Sequence, residues 1–155
     1  AANINPFVSG FYCTWVNIKN CVEKDRTAFT RHTGKNEIMP IPIAHGEGRF
    51  TTKEEGLLEK LKEGGQIVFR YCDRGGNIVG EFPVNPNGSV YNIAAICNPE
   101  GNVMSIMPHP ERASWNRQVP GFEGKSFRDM DADGPGRKIF HSMKEYIEKE
   151  GSSWK

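Results

Sequence analysis

The sequence lacks the features that mark membrane, secreted or nucleic-acid-binding chains. No apolar run approaches the roughly 20 residues that cross a bilayer as a helix. Its 20 basic and 19 acidic residues nearly cancel, leaving a formal net charge of +1. The basic residues are scattered, and the cluster Arg112 to Arg117 is too short to follow a phosphate backbone. The start, Ala1-Ala2-Asn3-Ile4-Asn5-Pro6, has neither a basic region nor an apolar core, so it does not read as a secretion signal. It has no initiator Met, which fits either processing or a beginning partway through a longer protein. The four cysteines, Cys13, Cys21, Cys72 and Cys97, form no Cys-x-x-Cys pair, which argues against a thiolate zinc site and a disulfide framework. They read as reduced, buried or half-buried residues of a cytoplasmic protein. No Gly-rich phosphate-binding loop, internal repeat or low-complexity tract occurs.

What is present fits one globular domain of 155 residues, 25% charged and 37% hydrophobic. Residues 11–22 alternate, with Tyr12, Thr14, Val16 and Ile18 on one side and Phe11, Cys13 and Trp15 on the other. That pattern predicts a strand covered on both faces. Residues 37–44 form a second extended run, and Pro40 and Pro42 suit an edge strand. Thr52 and Glu55 read as a capping box for a short helix bearing Leu57, Leu58 and Leu61 and ending at Gly64. Strands are expected at 66–72, just after the turn at Asp73 to Asn77, at 90–97 and at 103–107. Asn87-Gly88-Ser89 matches a glycosylation sequon but reads here as a turn. Residues 114–134 read as a loop. Residues 135–150 read as a helix with Ile139, Phe140, Met143, Tyr146 and Ile147 on one face. This order suits part of an α/β sheet with an antiparallel extension.

Two segments carry chemistry. In Met107-Pro108-His109-Pro110-Glu111-Arg112 the prolines favour extended backbone, which sends His109 and Glu111 to the same side. An imidazole beside a carboxylate is a general base with its tautomer fixed. Taken alone, a surface turn with a solvated His and Glu explains this segment as well. Pro42-Ile43-Ala44-His45-Gly46-Glu47-Gly48-Arg49-Phe50 is a second His-x-Glu, flanked by glycines that permit close backbone approach. By itself it too reads as a solvated turn.

Several stretches occur in a telling order: Ile41-Pro-Ile-Ala-His-Gly-Glu-Gly48, Asn85-Pro-Asn-Gly-Ser89 with Asn92-Ile-Ala94, and Gly101-Asn-Val103 leading to Met107-Pro-His-Pro-Glu-Arg-Ala113. The chain resembles the class I glutamine amidotransferase family, and within it the glutaminase subunits of phosphoribosylformylglycinamidine synthase. The resemblance runs from about Phe11 to the last helix. It implies the C-terminal portion of a flavodoxin-like α/β fold with a mixed sheet, residues 1–155 being part of one amidotransferase domain. It also implies a Cys-His-Glu triad in which His109 is the general base and Glu111 its orienting carboxylate. His45 and Glu47 would lie in a loop facing substrate and partner, and residues 7–11 would lie where the family meets glutamine. The family's nucleophile sits in a Gly-x-Cys-x-Gly elbow, a strand-to-helix turn. None of the four cysteines here has that setting, so the resemblance implies that the segment with the elbow and oxyanion hole comes from elsewhere. The chain alone is then expected to be inactive. The implied partners are glutamine, the missing N-terminal segment and a synthetase subunit. ATP and magnesium are expected on the synthetase, with no cofactor on this chain. Two other readings remain open: a degenerate, non-catalytic binding module, and a metal-dependent hydrolase using His45, Glu47, His109 and Glu111.

Overall fold

The structure, a computed structural model, describes residue 2, residues 10–124 and residues 126–150. Its centre is a five-stranded sheet built from β1 (Tyr12–Asn20), β2 (Ile38–His45), β3 (Ile67–Cys72), β4 (Ile93–Cys97) and β5 (Met104–Ile106). The strand order is β2-β1-β3-β4-β5, and all four pairings are antiparallel. Short helices α1 (Leu57–Glu63) and α2 (Phe127–Met130) and the longer α3 (Arg137–Glu150) complete the α/β arrangement.

The proline-bearing run is an edge strand, as its sequence predicts, because Pro40 and Pro42 cannot donate to a second neighbour. Met39, Ile41 and Ile43 point inward from it and join Val16, Ile18, Val68, Phe69, Tyr71 and Ile139 in one core. The other face of β1 is less covered than the alternation implies. Cys13 is exposed and Phe11 is 71% exposed, so β1 is a half-buried strand at its start. Cys13 is thus the exception among the cysteines expected to be buried or half-buried.

Further expectations are corrected. Thr52 does not cap α1. Its hydroxyl accepts from the Glu54 amide, and the residue preceding the helix is a left-handed Gly56 with no capping side chain. The strand expected just after the Asp73–Asn77 turn does not form, and that expected at 90–97 begins at Ile93. Tyr91 and Asn92 turn left-handed, and the Asn92 side-chain amide donates to the Val79 and Tyr71 carbonyls. On α3 the inward stripe runs through Ile139 and Ser142, whereas Phe140 and Ile147 are exposed. Ser142 faces inward because its hydroxyl accepts from the His32 amide at 2.9 Å, fixing the helix to the loop after β1. Residues 114–134 hold a 3-10 turn at Asn116–Gln118 and α2, with Trp115 bridged to Asp133.

No helix among the described residues is long and apolar enough to cross a membrane.

Candidate active site

The sheet curls so that the turn following β5 comes against β2. Just beyond β5, the amide of His109 donates to the Pro42 carbonyl of β2 at 2.8 Å. The two His-x-Glu segments, 64 residues apart in sequence, therefore meet at one end of the sheet.

His109 Nδ1 lies 2.7 Å from Glu111 Oε1. The pair does form, but not by extended geometry. Pro110 opens a 3-10 turn over Pro110–Ala113, closed by a bond from the Arg112 amide to the His109 carbonyl at 3.1 Å. The proline ring suits the first position of a helical turn, where no amide hydrogen is needed. The turn folds Glu111 back onto the imidazole. An ionised carboxylate only accepts hydrogen bonds, so opposite one Nδ1 carries the hydrogen, and in a neutral ring the lone pair is then on Nε2. The His109 side chain is 31% exposed and that of Glu111 55% exposed, so the ring is half-sheltered with a solvated carboxylate behind it. Arg112 Nε approaches the same Glu111 oxygen at 3.7 Å.

Beside the pair lies a cleft of about 280 Å³, lined mostly by apolar groups of Phe29, Met104, Ile106, Met107, Phe140 and Met143. β5, which forms one wall, is three residues long, and no described strand pairs with its outer side.

His45 ends β2 opposite Tyr12. Burial, and then the nearby charge of His109, hold its pKa below the ordinary value. Its ring lies against Gly48, where a Cβ would come within 2.4 Å of the ring carbons. Glu47 is exposed, and no bond among the described residues joins it to His45, so the second His-x-Glu does not copy the first. Of the expected glutamine-contacting stretch, residues 7–9 lie outside the described residues. Gly10 packs against Gly46, with its carbonyl oxygen 3.6 Å from where a Gly46 Cβ would be.

The resemblance gave no role to Asn85-Pro-Asn-Gly-Ser89, which secures the loop after His45. Asn87 and Ser89 are buried. Asn87 Oδ1 accepts from the Ser89 hydroxyl at 2.9 Å, and Ser89 Oγ accepts from the Phe50 amide at 3.1 Å. The Val90 amide then donates to the Phe50 carbonyl at 3.0 Å. The clustering of five turn-forming residues was the available signal, but turn chemistry alone does not say what a turn touches.

The cysteines have settings unlike an elbow. Burial pushes the Cys72 thiol up to about 11, with Asp73 adding to the effect, and burial also raises Cys21 and Cys97. Cys13 sits within β1 opposite Ala44. Among the described residues no three of His, Cys, Asp and Glu converge to hold a metal ion, so the metal-dependent reading finds no ligand set.

Comparison with known proteins follows the same line. Residues 7–147 match the model of the CobB/CobQ-like glutamine amidotransferase domain. The chain is 48% identical over 143 residues to phosphoribosylformylglycinamidine synthase subunit PurQ of Methanothrix thermoacetophila, covering 92% of this chain and 53% of that protein. It is 56% identical over 104 residues to the PurQ subunit of Aquifex aeolicus, covering 67% of this chain and 44% of that one. A chain in the structure of PurLQS from Thermotoga maritima superposes with a TM-score of 0.61 at 30% identity, over 95% of this chain and 52% of that one. The chain thus spans about half the length of the curated relatives it matches.

Proposed function

This chain belongs to the CobB/CobQ-like glutamine amidotransferase family, and we propose that it carries the His-Glu part of a glutaminase. The ammonia would serve the conversion of formylglycinamide ribonucleotide to its amidine in purine biosynthesis. The observation that carries this reading is the 2.7 Å contact between His109 Nδ1 and Glu111 Oε1 at the edge of a cleft.

In this reading Glu111 holds the hydrogen on Nδ1 and steadies the imidazolium, and Nε2 of His109 takes the proton from a cysteine thiol. The thiolate attacks the side-chain amide of glutamine. His109 returns its proton to the departing nitrogen, so ammonia leaves and a glutamyl thioester remains. His109 then deprotonates the water that cleaves the thioester to glutamate.

The thiol would come from another stretch of polypeptide, the N-terminal part of the same domain. The raised thiols of Cys21, Cys72 and Cys97, and the strand setting of Cys13, support that source. So do the unpaired outer side of β5 and the apolar cleft beside it, which is the kind of surface another element covers. ATP and magnesium would belong to a synthetase partner, with His45 and Glu47 in the loop nearest substrate and partner.

The test is glutamate release. The chain alone should give none at enzymatic rates, and adding the elbow-bearing segment of a full-length relative should restore it. His109→Gln should then lower the restored rate by roughly 10⁴-fold. Turnover by the chain alone, or an unaffected His109→Gln variant, would remove this reading.

A further inference from the structure

We propose that Gly134 and Gly136 are positioning residues for the His109–Glu111 pair, because only there can the entry to α3 press backbone against backbone onto the turn that carries Glu111. The inference builds on the base-and-carboxylate reading of that pair.

A Cβ on Gly136 would lie 2.1 Å from the Pro110 carbonyl oxygen and 2.9 Å from the Pro110 carbonyl carbon and Cα. On Gly134 it would lie 2.5 Å from the Ala113 carbonyl oxygen. These neighbours are main chain, so no rotamer change relieves the overlap. Neither glycine has a positive φ, so the requirement is one of space and not of backbone conformation.

The close approach is also bonded. The Gly134 amide donates to the Ser114 carbonyl at 2.9 Å, and the Gly136 amide donates to the Ala113 carbonyl at 2.8 Å. The Ser114 hydroxyl donates to the Pro110 carbonyl at 3.0 Å. Pro110 therefore lies between its Ser114 bond and Gly136, and it is the residue between His109 and Glu111.

Which side yields to an added methyl group decides the effect. α3 is fixed just beyond Gly136, since Ile139 is 2% exposed in the core and the Ser142 hydroxyl is tied to the His32 amide. Pro110 and Glu111 border the cleft, which leaves the turn room to move on that side. An added Cβ therefore displaces Pro110, and with it the angle at which Glu111 meets the imidazole.

The experiment compares Gly136→Ala with Gly80→Ala, an exposed control with open space where its Cβ would be. In this chain, ring ¹⁵N resonances of His109 should move in Gly136→Ala towards those of Glu111→Ala and stay in place in Gly80→Ala. In an amidotransferase of the relatives' full length, Gly136→Ala should lower kcat on the order of 10²-fold with KM within about twofold. Ser114→Ala frees the Pro110 carbonyl without adding an atom, and should shift the same resonances in the same direction by less. If Gly136→Ala does not fold, Ser114→Ala decides alone. Wild-type resonances and kcat in the folded variants overturn the proposal. If His109→Gln leaves glutamine turnover intact, the base assignment fails, while the ring resonances still report whether the glycines position the pair.

Discussion

The amide of His109 donates to the carbonyl of Pro42 at 2.8 Å, joining the segment after the last strand of the sheet to the strand on its opposite margin. Pro42 is itself part of the second His-x-Glu segment. The bond brings together two stretches that would each pass for a solvated turn.

Removing the carboxylate should change the imidazole before it changes the fold. In Glu111→Ala, Nδ1 of His109 loses its acceptor and the ring should populate both neutral tautomers, seen in its ¹⁵N shifts. In the completed glutaminase, kcat should fall by roughly 10²- to 10⁴-fold, as expected when a base loses its orienting group. A single unchanged tautomer in the variant would show that Glu111 does not set it.

Stability should fall on mild acidification because of His45. Burial and the His109 charge lower its folded-state pKa, so the unfolded chain takes up a proton first, near the ordinary value of 6.5. The contribution is complete above that pH and is lost as pH falls towards the lowered value. The urea midpoint should be lower at about pH 5.5 than at about pH 7.5, and His45→Gln should shrink that difference. An equal drop in the variant would assign the effect elsewhere.

Gly48→Ala should destabilise through the His45 ring, which its Cβ would meet at 2.4 Å. Overpacking of this kind costs about 1–3 kcal/mol, measurable by chemical denaturation. No change in midpoint would mean that the ring swings clear at no cost.

Ile41 is fully buried, whereas Ile147 is 63% exposed. Ile41→Ala should cost about 2–5 kcal/mol and Ile147→Ala less than about 0.5 kcal/mol. Similar losses in the two variants would contradict the placement of α3.

What the sequence could disclose depended on the reach of each interaction. The edge position of β2 was readable because a missing proline amide hydrogen is a local fact. The partnership of His109 and Glu111 was anticipated, but its geometry was not, because Pro110 serves an extended chain and the first position of a 3-10 turn equally well. The inward stripe of α3 was displaced because Ser142, a polar residue, is drawn inside by an amide from residue 32. Nothing near Ser142 in sequence announces that partner. Gly134 read as a loop residue and Gly136 as part of the helix for the same reason, since a contact with the turn at Pro110–Ala113 depends on how the chain returns.

Since the amide of His109 is tied to the Pro42 carbonyl, the base hangs from a strand that is remote from it in sequence. A displacement of β2 at Pro42 would carry the backbone of His109 with it.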